Sequence, residues 1–114
     1  METKTILKQL KNNADGVSLN LKGLKYEPKN GYFVALTDNC FNSINSKTIR
    51  DLQKQAITLN LKNYYLGYWL DKKTSKHYLD ISIFIKSKTK ALKIAKQYKQ
   101  KAIFNCNTLD SIYL

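Results

Sequence analysis

Trp69 and Tyr78 are the residues whose types and placement first suggest chemistry. They lie in the stretch "YYLGYWLDKKTSKHYLDISIFIK" (64–86), which also holds the only His, His77, and half of the eight Tyr. Its polar centre, "DKKTSK", reads as a turn between strands 64–71 and 76–85. If Leu70 faces His77 across that turn, Tyr68 faces Leu79, Leu66 faces Ile81 and Tyr64 faces Ile83, because strand side chains alternate. That side is apolar and belongs to a core. The other side sets Trp69 against Tyr78, Gly67 against Asp80 and Tyr65 against Ser82. Flat rings flanked by cations are what proteins use to hold single-stranded nucleic acid without reading its sequence. The same rings could anchor a protein partner, or simply brace the hairpin as a cross-strand pair.

The cations are close by in the sequence. Segment 72–101 contains ten Lys and a single acid, Asp80, within a chain of net charge +12. Lys72, Lys73 and Lys76 sit at the hairpin tip. Lys86 and Lys88 lead out of its far end, and Lys90, Lys93 and Lys96 fall on one side of the helix expected next. Such a run can follow a phosphate backbone. Among 20 basic residues only Arg50 is Arg, and base readout relies on the bidentate fork of Arg. Backbone contact therefore fits the composition better than sequence recognition. Lys, Asn and Ile are all abundant, as AT-rich codon usage would produce, so a merely solvated lysine face is the competing reading.

Other residue types offer less. His77 could in principle pair with the thiol of Cys40 or Cys106, and Asp71 and Asp80 could form a carboxylate pair. No GxSxG, HExxH, CxxC or phosphate-binding glycine loop accompanies them. A hydrogen bond or ion pair is the better role for Asp80. The chain reads as non-enzymatic, with no catalytic or metal-ligating set and no cofactor.

The elements that must hold these residues follow from periodicity. Ile6, Leu7 and Leu10 predict a helix over 3–12. Alternation over 17–21 ("VSLNL") predicts a strand, "LKYE" a partner for it, and "PKNG" (28–31) a turn leading into a strand at 32–37. The first third thus reads as a helix and a small antiparallel meander. Residues 38–46 read as a loop ending in a cap, Asn45 or Ser46. Ile49, Leu52, Ala56 and Leu59 mark a helix over 47–60. After the hairpin, Ser87 caps a helix over 88–100 with Ala91, Leu92, Ile94, Ala95 and Tyr98 inward. Strands at 102–105 and 109–114 close the chain. The expectation is one α+β domain, 1–114, with a small, mostly antiparallel sheet of hairpins packed with two or three helices.

The chain shows no secretory leader and no run long enough to span a membrane. Its two Cys are far apart, which favours reduced thiols. These point to a cytoplasmic protein without a membrane partner.

Quoted together, "DGVSLNLKG", "NGYFVAL", "YLGYWLDKKTSKHYLDIS" (65–82), "ALKIAKQYKQKAIFN" (91–105) and the terminal "IYL" resemble small uncharacterised accessory proteins of Gram-positive phages and mobile elements. The resemblance is most specific over 65–105 and brings no catalytic residues with it. It implies a bacterial host cell as the setting, and a role as regulator or antagonist of host defence, anti-CRISPR proteins included. The expected function is therefore binding of nucleic acid or a nucleoprotein complex through Lys72, Lys73, Lys76, Lys86, Lys88, Lys90, Lys93 and Lys96, with Tyr65, Trp69 and Tyr78 stacking or anchoring, to inhibit a host nuclease. The alternative is a protein–protein or homo-oligomer module that uses the Trp69/Tyr78 face.

Overall fold

A computed structural model describes residues 3–20, 24–37 and 39–114. Ten elements follow one another: α1 (Thr3–Asn12), β1 (Val17–Leu19), β2 (Tyr32–Ala35), β3 (Cys40–Phe41), α2 (Ser46–Thr58), β4 (Tyr65–Asp71), β5 (Lys76–Ile85), α3 (Lys88–Gln97), β6 (Ala102–Asn105) and β7 (Asp110–Tyr113). The class is α+β: three helices and a seven-stranded antiparallel sheet.

The β4–β5 hairpin is the centre of the sheet, in the register that its alternation predicts. Leu70 faces His77, Trp69 faces Tyr78, Gly67 faces Asp80 and Tyr65 faces Ser82. The strand order is β1-β4-β5-β2-β6-β7, with β3 also pairing β5. Beyond β2, Leu36, Thr37 and Asn39 keep following β5 through side chains as well as backbone. The Thr37 hydroxyl accepts from the Ile81 N–H at 3.0 Å, and an Asp80 carboxylate oxygen accepts from the Asn39 N–H at 2.9 Å. The β3 pairing was not expected from a loop reading of 38–46.

The predicted N-terminal meander forms only in its first pair: residues 24–26 run back along β1, but β2 joins the sheet elsewhere. β1 pairs with β4 and β2 with β5, so the whole hairpin lies between them. A three-residue and a four-residue strand can make few bonds to each other. Each buries more by docking beside the long hairpin, whose apolar ladder is already formed. Of "LKYE", only Lys25 forms a bridge, to Leu19. Leu21 and the expected "KG" turn lie outside the described residues.

All three helices cover one face of this sheet. On β5, Leu79, Ile81, Ile83 and Ile85 share that face. Leu79 and Ile81 pack with Ile6 and Leu10 of α1 and Ile49, Leu52 and Ala56 of α2. Ile83 and Ile85 pack with Ala91 and Ala95 of α3, alongside Val34 and Ile103. The small side chains of α3 let it sit close to the sheet. Tyr98, expected on its inner side, is instead exposed where the helix has ended.

The caps fit the chemistry of the sequence. Asn45 accepts from the Thr48 N–H at 3.1 Å, and the Thr48 hydroxyl accepts from the Asn45 N–H at 3.2 Å, a reciprocal capping box. Ser87 accepts from the Lys90 N–H at 3.3 Å to open α3.

Candidate binding faces

Among the described residues, no helix covers the second face of the sheet. Its residues are the alternate set: Tyr65, Gly67, Trp69 and Asp71 on β4, Lys76, Tyr78, Asp80, Ser82 and Phe84 on β5, and Phe33 on β2. At the hairpin-tip end, the Trp69 and Tyr78 rings stack at 4.6 Å between centroids and 10° between planes. Trp69 keeps 47% of its surface open. Cys40 of β3 lies opposite Tyr78, so a Trp–Tyr–Cys row crosses three strands. A hydrogen bond with the Cys40 thiol, reinforced by the nearby Asp71 carboxylate, pushes the Tyr78 phenol above its ordinary value.

At the other end the rings are occupied with one another. Tyr26, carried across the face by the connection into β2, stacks on Tyr65 at 4.5 Å and 5°. Phe33 meets both rings edge-on, and Phe84 meets Tyr26 and Phe33 in the same way. Burial, followed by a hydrogen bond with Tyr26, raises the Tyr65 phenol. Gly31 permits this packing, because a Cβ there would fall 2.2 Å from the Phe84 ring. Of the three predicted ring anchors, Trp69 and Tyr78 therefore stand together, while Tyr65 is committed to an internal stack.

An open groove of about 970 Å³ runs between the two ring groups, past Gly67, Asp80, Tyr26, Pro28 and Phe104. Two ion pairs flank it: Lys25 with Glu27 at 3.3 Å, and Lys72 with Asp15 at 3.4 Å. The aromatic rings Tyr26, Phe33, Phe84 and Phe104 were not foreseen as part of this face. The alternation of Phe33 and Phe84 with the core residues Val34 and Ile83 is the signal that could have found two of them.

The basic residues lie elsewhere. α1 contributes Lys4, Lys8 and Lys11, α2 contributes Lys47, Arg50 and Lys54, and α3 contributes Lys88, Lys90, Lys93 and Lys96, against Asp51 alone. The helices thus account for nine of the net +12. Since α3 packs on the core face, its outward lysines point away from Trp69 and Tyr78. The hairpin-tip residues Lys72, Lys73 and Lys76 are separated from α3 by the ten residues of β5, roughly 30 Å of strand. Of the predicted lysines, Lys76 projects on the Trp69 side, where it bonds the Asn42 side chain, and Lys72 reaches Asp15 at the groove on that side. Lys86 and Lys88 are exposed where β5 passes into α3.

The candidates for bond-making chemistry are kept apart. His77 is on the core face and shares a 2.7 Å hydrogen bond between its Nδ1 and the Tyr68 hydroxyl. Burial raises the Tyr68 phenol. Cys40, one residue out of phase with the His77 partner Phe41, is on the opposite face, so the sheet separates thiol from imidazole. Cys106 is buried, and burial raises its thiol. Among the described residues no three of His, Cys, Asp and Glu converge on a possible metal site, and no helix is long and apolar enough to cross a membrane.

With this geometry in hand, the chain was compared with known proteins: no family model, curated protein or solved structure matches it. The functional reading therefore rests on the two faces themselves.

Proposed function

We propose that the protein is a non-enzymatic nucleic-acid-binding module whose helix layer contacts phosphate backbones, free or within a nucleoprotein complex. One observation carries this reading: ten basic residues against one acid on three helices that share one side of the sheet. Ionic contact of this kind depends on Lys charge and not on base identity. Lys90, Lys93 and Lys96 are the principal contacts, with Lys86 and Lys88 at the start of the same row. The likeness to phage accessory proteins supports a bacterial host as the setting and a host-defence nuclease complex as the target.

The test is a titration of labelled single-stranded and duplex oligonucleotides across about 50–200 mM salt. Affinity should fall steeply, by close to one log–log unit per phosphate contacted. The triple change Lys90→Glu, Lys93→Glu, Lys96→Glu should abolish binding while leaving the circular dichroism unchanged. Undetectable or salt-insensitive binding would overturn the reading.

A second reading is favoured by the exposed, pre-stacked Trp69. Aromatic anchors with few rotamers suit protein interfaces, including self-association. Light scattering on the intact chain and on Trp69→Ala checks this, and a dimer lost in the variant would support it.

A further inference from the structure

The sheet has two edges, and the structure treats them differently. At β1, the chain folds back over its own edge. The Tyr26 N–H donates to the Ser18 carbonyl at 2.7 Å and the Asn20 N–H to the Leu24 carbonyl at 2.9 Å, so the outer backbone groups of β1 are used. At β7, no described residue does this. β7 pairs with β6 alone. The Leu114 N–H donates to the Lys101 carbonyl at 2.9 Å. Because bonded and non-bonded pairs alternate in an antiparallel ladder, Ile112 bonds inward to Ile103. Ser111 and Tyr113 then aim their N–H and C=O groups at the open edge. β7 carries one charge, Asp110 at its first residue, but no Lys and no Pro, and its register with β6 is unbroken.

Beside this edge is a trough of about 950 Å³ between β7 and α3. Its floor is apolar, with Leu92, Ile112 and Leu114, and its rim carries Lys93, Lys96 and Lys99 with no acid among the lining residues. Tyr113 stands over it with 75% of its surface exposed.

We propose that β7 is the docking edge for an extended acidic segment of a partner protein, which joins the sheet as a further strand and lays alternate side chains in the trough against α3. Backbone groups of Ser111 and Tyr113 supply the pairing, the apolar floor takes hydrophobic side chains, and the rim lysines pair with carboxylates. Charge selects this occupant over a second copy of the chain. Edge-to-edge pairing of two β7 strands would bring two lysine-rich α3 rims side by side, with only Asp110 of each strand to offset their lysines. The site differs from the nucleic-acid surface in using β7 backbone, although it shares Lys93 and Lys96.

The test uses a fluorescein-labelled peptide of about six residues alternating valine and glutamate, roughly the length of one strand, titrated into the intact protein by anisotropy. Saturable binding is expected, with new amide-exchange protection at Ser111 and Tyr113. Ser111→Pro removes one outward N–H, a substitution that edge strands tolerate, and should weaken the peptide about tenfold. The same variant should leave oligonucleotide binding unchanged, so this proposal and the nucleic-acid reading fail separately. A peptide N-methylated at alternate residues, tested on the unaltered protein, should not bind; this arm does not depend on the proline variant folding. Equal binding of the N-methylated peptide or of a valine–lysine peptide, protection confined to α3, or pairing of β7 with a second copy would each overturn the proposal.

Discussion

Neighbouring residues of β5 live in different worlds. Leu79 and Ile81 are completely buried under helices, whereas Tyr78 and Asp80, one residue away, face a side that no helix covers. The covered face is held by aliphatic side chains interlocking between layers. The open face is held by rings packing on rings within one layer. The first arrangement gains its stability from excluding water around many atoms. The second gains less at its Trp69–Tyr78 end, where Trp69 keeps 47% of its surface open, and so leaves surface for a partner. Charge follows the same division, since the helices that seal the core carry half of the 20 basic residues but only one of the eight acids.

Substitutions across the sheet measure that difference. Leu79→Ala should cost about 2–5 kcal/mol, the range for emptying a filled core site, and should lower the urea midpoint sharply. Gly31→Ala should cost about 1–3 kcal/mol, because the new Cβ collides with Phe84. Adding Phe84→Leu to that variant should recover part of the loss, a coupling that a double-mutant cycle reads directly. Trp69→Ala should be the mildest, about 0.5–1.5 kcal/mol for a ring pair near solvent, with the same urea-gradient slope. If Trp69→Ala proved as damaging as Leu79→Ala, the open face would be a second core and its role as a binding surface would fall.

Much of this division is local and could be read residue by residue. The hairpin register follows from the polar "DKKTSK" turn and strict alternation around it. α2 follows from Ile49, Leu52 and Ala56 with the Asn45 cap. Other features leave no local mark. β3 is two residues long, too short to alternate. The separation of β1 from β2 depends on pairings across about fifty positions, as between Val17 and Tyr68. Whether Lys93 shares a side with Trp69 depends on which face α3 chooses, and a helical stripe says only that some face is covered. The lysines and the rings are neighbours in sequence, and their separation in space came from that choice.

The insertion of the hairpin between β1 and β2 also sets an order of events during synthesis. Apart from its bridge to Lys25, Leu19 has no sheet partner until Leu66 has been made, and Tyr32 none until Ile85. At translation speeds of roughly 5–20 residues per second, the N-terminal strands wait on the order of 3–13 s between Leu19 and the end of β5. During that interval, α1 and the strands behind it emerge from the ribosome with apolar faces uncovered. Uncovered apolar surface and unpaired strand edges during such an interval are what make a chain prone to aggregate.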